Sequence, residues 1–220
     1  CSVIKPVSVT INPQPTIGGG LNVCIGFTSQ LNGSGTASTT SPWSSSNPIV
    51  ATITATGLVT GLTSGTTTIT FTNSNGCQKT ETFTVSINPN IITAQAQTIC
   101  SNSTFSIVPL DGSGNSVPVG TTYSWSAPLV TGGITGGAAL ANQTTIKGTL
   151  INPTNDVQTA TYTITPKSGT CTGPSFTAVV TVNPSPKVQF SGPNQTLCSG
   201  SDSSLISLSS LTSGNVTFNW

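Results

Sequence analysis

The sequence predicts an all-β chain of β-sandwich domains in tandem, on three observations. The first is a recurring strand. Residues 76–89 have counterparts at 1–13 and 171–184, and in each copy a cysteine precedes an Asn-Pro by eleven or twelve residues: Cys1 to Asn12, Cys77 to Asn88, Cys171 to Asn183. Apolar and hydroxylic residues alternate between them, so Val7, Val9 and Ile11 align with Phe83, Val85 and Ile87 and with Ala178, Val180 and Val182. A period of two is the mark of a strand with one face in a core. Proline lacks the amide that would continue a ladder, so each Asn-Pro closes its strand. The second observation is a further cysteine, Cys24, Cys100 or Cys198, placed twelve to fifteen residues after each Asn-Pro. The third is punctuation: Gly and Pro interrupt short Thr/Val/Ile-rich runs throughout, and no stretch carries helical periodicity.

The repeat sets the domains. Residues 13–88 form one unit with Cys24 and Cys77, and 89–184 form another with Cys100 and Cys171. Residues 1–12 read as the last strand of a preceding repeat and 185–220 as the first part of a further one. Cys1 and Cys198 are then unpaired within the 220 residues. A leading cysteine also suits the lipid-bearing residue of a mature bacterial lipoprotein, but the repeat register already accounts for Cys1 as half of a disulfide. Asn-Pro junctions without a glycine-serine tether predict units set end to end in an elongated, semi-rigid array.

Composition excludes several classes of function. Charged residues make up 4% of the chain, against about 25% in an ordinary domain. Five separated lysines and a net charge of +1 offer no track for nucleic acid. No run reaches the roughly 18 to 20 apolar residues that a spanning helix needs, so membrane insertion is not expected. Mean hydropathy of +0.14 with regular alternation is not the signature of disorder. Six cysteines without a CxxC cluster or any histidine favour disulfides over zinc or redox chemistry, hence an oxidising compartment.

In the first unit, Val23, Ile25 and Phe27 alternate, and a Gly/Ser/Thr-rich loop leads to Pro42. The runs Trp43–Ile53, Gly57–Leu62 and Gly65–Phe71 follow. Ile69 and Phe71 share a face, Gly57 and Gly61 mark turns, and Trp43 is the only large aromatic available to fill the sandwich centre. These runs resemble the bacterial Ig-like family of type 2. The resemblance implies a small Ig-like β-sandwich of the kind that serves as a spacer in surface adhesins. The second unit carries 121–128 around Trp125, Gly132-Gly133-Ile134-Thr135-Gly136-Gly137, 159–166 around Tyr162, and Ser168-Gly169-Thr170-Cys171. It resembles the PKD-like repeats of very large surface proteins from gliding Bacteroidota. In the third, partial unit, 195–199 match 97–101, and Val216, Phe218 and Trp220 alternate as Thr121, Tyr123 and Trp125 do.

Both whole units show cysteine, tryptophan and cysteine in Ig-like order, but with long gaps and with Cys77 and Cys171 beside turn glycines. The expected bonds are therefore Cys24 to Cys77 and Cys100 to Cys171, each near one end of its own sandwich in place of a central pin. Catalysis is not expected. Without histidine there is no Ser/His/Asp or Cys/His set, and the four acids, Glu81, Asp111, Asp156 and Asp202, are scattered. Residues 111–115 read as a turn and not a calcium loop, and the paired glycines at 132–137 as a β-loop without the Lys-Ser/Thr of a phosphate cradle. No cofactor and no metal are called for. Asn32, Asn102, Asn142, Asn194 and Asn215 open glycosylation sequons, which a Ser/Thr-rich chain also produces by chance.

The resemblance implies a repeat segment of a very long secreted adhesin at the cell surface, attached to the outer membrane, like the giant mobile adhesins of gliding motility. Such a segment supplies reach and tensile strength. Its partners would be neighbouring repeats, with surface polysaccharide or substratum, and the gliding or type IX secretion machinery, engaged through other regions. Two alternatives stand beside it: a carbohydrate-binding module, if Trp43, Trp125, Tyr123 and Tyr162 form an exposed platform, and the stalk of a secreted enzyme. Strand parity places those aromatics, Trp43 and Trp125 above all, in the core.

Overall fold

The computed structural model of the chain describes residues 7–192, 194–202, 204–212 and 217. Those residues form strands, turns and loops with no helix. One compact unit runs to Asn88 and also takes in the short turn Gly169–Cys171; the other begins at Pro89 and holds the rest.

The first unit contains β1 (Ile17–Gly19), β2 (Asn22–Cys24), β3 (Thr28–Gly33), β4 (Trp43–Ser45), β5 (Ala51–Ile53), β6 (Leu58–Gly61), β7 (Gly65–Thr72) and β8 (Gln78–Ser86). They make two four-stranded sheets, β1-β3-β6-β5 and β2-β8-β7-β4. The sequence of β7 shows why. Thr67, Ile69 and Phe71 are buried while Thr66 and Thr68 face solvent, so one row of alternate side chains enters the core. Phe83 and Val85 do the same from β8, and Leu31, Val59 and Ala51 close the core from the opposite sheet. The polar residue in this row is satisfied: the buried Thr67 hydroxyl accepts from the Asn47 amide at 2.9 Å and pairs with the Ser45 hydroxyl at 2.9 Å.

The second unit contains β9 (Gln95–Cys100), β10 (Ser103–Ile107), β11 (Thr122–Trp125), β12 (Leu129–Val130), β13 (Thr135–Gly136), β14 (Leu140–Gln143), β15 (Ile146–Ile151), β16 (Gln158–Ser168), β17 (Cys171–Thr172) and β18 (Phe176–Asn183). The larger sheet follows the order β14-β11-β16-β18-β9, with β12 and β17 also pairing with β16, and the smaller is β10-β15-β13. Ala178, Val180 and Val182 are fully buried, and Phe105, Ile146 and Leu150 meet them from the smaller sheet. Further along the chain β19 (Val188–Ser191) pairs antiparallel with β20 (Ser207–Ser210). The alternation Val216, Phe218, Trp220 lies outside the described residues.

Several local expectations are corrected. Val7, Val9 and Ile11 are exposed and carry no strand, because no described strand lies beside them to complete a ladder. Val23 is buried but Phe27 is 60% exposed. The chain turns between them, with Gly26 at φ +82° and the Phe27 amide donating to the Cys24 carbonyl at 3.0 Å. Ile87 is exposed too, since β8 has ended at Ser86. Trp43 shares the sandwich centre with Phe71 and Phe83. Gly57 sits in a turn at φ +86°, whereas Gly61 is an extended residue of β6. A Cβ on Gly61 would lie 2.7 Å from Val23 and 2.9 Å from Val85, so close packing of the sheets explains that glycine.

Asn152 shows that Asn-Pro also works inside a unit. It follows β15, and its buried amide donates to the Asp156 carbonyl at 2.7 Å and the Val182 carbonyl at 2.9 Å, while its oxygen accepts from the Thr154 amide and hydroxyl at 2.9 and 2.8 Å. Asn152→Ala strips partners from several groups at once and is expected to cost about 2 to 4 kcal/mol. A urea titration of the second unit giving a change within experimental scatter would refute this.

Candidate functional site

The cysteines give the chain its distinctive chemistry, and topology decides where they go. In each sandwich the early strand that carries its first cysteine, β2 or β9 and hereafter the first strand, runs parallel to the last strand. In the first unit Asn22, Val23 and Cys24 pair with Thr84, Val85 and Ser86; in the second Gln95 through Cys100 pair with Ala178 through Asn183. A parallel partner brings the first-strand cysteine to the far end of the last strand. Cys77 stands before the start of β8, nine residues from that end, and at about 3.3 Å per residue it is roughly 30 Å from Cys24. A disulfide needs Cα atoms within about 7 Å. The same reasoning separates Cys100 from Cys171 along β18, which has eight residues.

The structure accordingly bonds Cys24 to Cys171, with Cα atoms 5.6 Å apart at a sequence separation of 147. This replaces the expected pairs Cys24–Cys77 and Cys100–Cys171. Cys171 belongs to the second repeat by sequence and to the first compact unit by packing. Cys77 and Cys100 are free thiols, the first half-buried and the second exposed, and Cys198 is free and exposed. Cys1 lies outside the described residues.

The four candidate platform aromatics are inside. Trp43 packs on Phe71 with ring centroids 4.6 Å apart. Trp125 stands edge-on to Tyr162 at 6.5 Å, and its indole nitrogen donates to the Ala138 carbonyl at 3.2 Å. Tyr162 meets Phe105 at 5.2 Å, and Tyr123 stands edge-on to Phe176 at 6.2 Å. All four are buried, Tyr162 fully. A groove beside β14 is lined by Trp125 with Ser124, Ser126, Leu140, Thr163 and Thr165, yet Trp125 is only 5% exposed and so offers it little more than an edge.

Burial pushes the Tyr162 phenol up to about 12 and raises that of Tyr123. The Tyr162 hydroxyl has no hydrogen-bond partner. The folded chain thus holds the Tyr162 proton more tightly than the unfolded chain, where the phenol titrates near about 10. Its contribution to stability is complete below about pH 10 and is lost as pH rises toward 12, about 3 kcal/mol in all. Tyr162→Phe is expected to flatten that alkaline loss. Urea midpoints that fall equally steeply in both proteins between about pH 9 and 11.5 would contradict it.

The acids do not converge. Glu81 meets Lys79 at 3.2 Å on the surface. Asp111 accepts from the Val117 amide at 2.8 Å and so braces the turn expected at 111–115, where Gly112 and Asn115 bridge. Asp156 and Asp202 are exposed. Among the described residues no three of His, Cys, Asp or Glu come together as a metal site. No helix there is long and apolar enough to cross a membrane.

Comparison with known proteins places these features. Residues 6–85 match the bacterial Ig-like domain (group 2), and residues 97–186 match the PKD-like domain. No curated protein matches the chain. Among solved structures, a crystal structure of the S-layer protein rSbsC is 17% identical, with 80% of this chain and 29% of that one covered and a TM-score of 0.33. An I-band fragment of titin is 9% identical over 87% of this chain and 83% of its own, with a TM-score of 0.36. Murine CEACAM1b is 15% identical over 77% and 96%, with a TM-score of 0.34. The chain thus spans less than a third of that S-layer protein. Its two repeats are Ig-like β-sandwich domains, the first similar to bacterial Ig-like domains of group 2 and the second to PKD-like domains.

Proposed function

We propose that the chain is a spacer segment of a long extracellular adhesin, set at the cell surface to carry load and give reach, as in the giant adhesins of gliding motility. The observation that carries the reading is the burial of every candidate recognition aromatic in two successive Ig-like sandwiches. What is left outside is nearly uncharged, with 4% charged residues in the chain, and its exposed apolar side chains, such as Phe27, Ile49 and Leu129, are not aromatic platforms of the Trp/Tyr kind. Such a surface offers few charges for specific ionic recognition, which suits a spacer. The disulfide supports an oxidising, extracytoplasmic setting. Catalysis, ligand capture, outer-membrane attachment and type IX secretion are assigned to other parts of the protein in this reading.

The test is an in-frame deletion of residues 13–184 from the full-length protein. Adhesion under flow is expected to fall with the lost reach, while display at the surface and binding to substratum at rest persist. Loss of resting binding on deletion, together with polysaccharide binding by purified 13–184, would instead establish a carbohydrate-binding module.

A further inference from the structure

We propose that the cysteines of this array bond from one repeat to the next and never within a repeat. Cys77 then takes the first-strand cysteine of the repeat that residues 1–12 close, and Cys100 takes the turn cysteine of the repeat that Cys198 opens. The inference rests on the array reading above but concerns its covalent wiring.

The argument is one of register. Each unit has a first-strand cysteine, Cys24 or Cys100, carried by the parallel ladder to the Asn-Pro end of its sandwich, beside Ser86 or Asn183. Cys100 pairs two positions nearer its Asn-Pro than Cys24 does, and an even offset keeps the side chain on the same face. Each unit also has a turn cysteine, Cys77 or Cys171, directly after the hairpin turn that leads into its last strand. Each turn cysteine faces a backbone carbonyl just upstream of its own repeat. Cys171 Sγ lies 4.0 Å from the Ser86 carbonyl oxygen, and Cys77 Sγ lies 4.0 Å from the Asn12 carbonyl oxygen. Ser86 is the residue beside which Cys24 stands, and there the bond to Cys171 is made. Asn12 is the counterpart of Asn183, beside which Cys100 stands. A first-strand cysteine in the register of Cys100, one repeat earlier, would therefore arrive at Cys77.

Within a repeat the two cysteines are held at opposite ends of the last strand and cannot bond each other. For each bond two thiols lose two protons and two electrons. Thiol–disulfide exchange passes them to an extracytoplasmic disulfide oxidant, which is released as a dithiol.

The experiment uses the full-length protein, alkylated before lysis, digested without reduction and mapped by mass spectrometry. The expected map joins the Cys24 peptide to that of Cys171, and the Cys77 and Cys100 peptides to peptides of the preceding and following repeats, with neither thiol alkylated. Recovery of Cys77 or Cys100 as the alkylated thiol, or joined to Cys24 or Cys171, overturns the proposal. In a full-length Cys171→Ser variant, Cys24 should become the alkylated thiol with the Cys77 and Cys100 linkages unchanged; capture of Cys24 by Cys77 would overturn it equally. These outcomes leave the spacer reading untouched, since that reading stands or falls on the binding measurements.

Discussion

Cys171→Ser is expected to destabilise the first unit by up to about 5 kcal/mol, the chain-entropy value for opening a loop closed across 147 residues. The figure is an upper bound, because part of that loop retains structure when the first unit unfolds. The substituted residue lies in the second repeat, yet the loss should be read in the unfolding of Trp43 and its neighbours, since Gly169–Cys171 packs with the first unit. Cys77→Ser supplies the control. If Cys24 bonded Cys77, that change would cost about 4 kcal/mol by the same estimate; with Cys77 free in this chain it should cost almost nothing. Urea titrations of residues 1–220, followed by tryptophan fluorescence in a background carrying Trp125→Phe and Trp220→Phe so that Trp43 alone reports, separate the two outcomes.

Trp125→Ala should cost about 3 to 5 kcal/mol in the second unit. The residue lies on β11 between two partners, opposite Ile164 on β16 and Leu140 on β14. Truncation would remove its packing and its edge-on contact with Tyr162, and would leave the Ala138 carbonyl without the indole donor. Little of this can be recovered by relaxation, because Ile164 and Tyr162 are themselves fully buried. A drop of that size in unfolding free energy, with no polysaccharide affinity to lose, marks a core residue. An unchanged melting temperature accompanied by loss of polysaccharide binding would mark a recognition residue and defeat the assignment.

Strand identity was legible where alternation was strong and the neighbours came from the same repeat. Phe83 with Val85, and Ala178 with Val180 and Val182, all point inward as their period of two required. Alternation misled where the chain turns, at Phe27, or where no partner strand is described, at Val7 to Ile11. Period two states which side chains share a face, and says nothing of whether a second sheet arrives to cover it. Gly61 was misread for a related reason: a glycine that permits a turn and a glycine that lets two sheets approach look alike in one dimension.

The disulfide partners were not legible. Spacing within a repeat is compatible with either pairing, and the choice depends on whether the first strand runs parallel or antiparallel to the last. That direction is set by pairing between residues some eighty positions apart, such as Val182 with Ile99, and no local residue preference encodes it. Asn-Pro was a useful but incomplete guide, closing β18 at one boundary and β15 in the interior.

The parallel alignment of β9 with β18 also fixes how the second sandwich meets a pull on its ends. Gln95 opens the ladder opposite Ala178, and Cys100 faces Asn183 at its other end. With the Cys24–Cys171 bond reduced, tension enters at the start of β9 and leaves at the finish of β18, which are opposite ends of the same ladder. The two strands are asked to slide past one another, so the hydrogen bonds along six paired positions resist in shear and fail together. Adjacent antiparallel terminal strands would place both attachment points at one end and open like a zipper, one bond after another. A sandwich built this way is tough along its length without any added bond, and its weakest direction is across the ladder, where a tandem chain is not pulled.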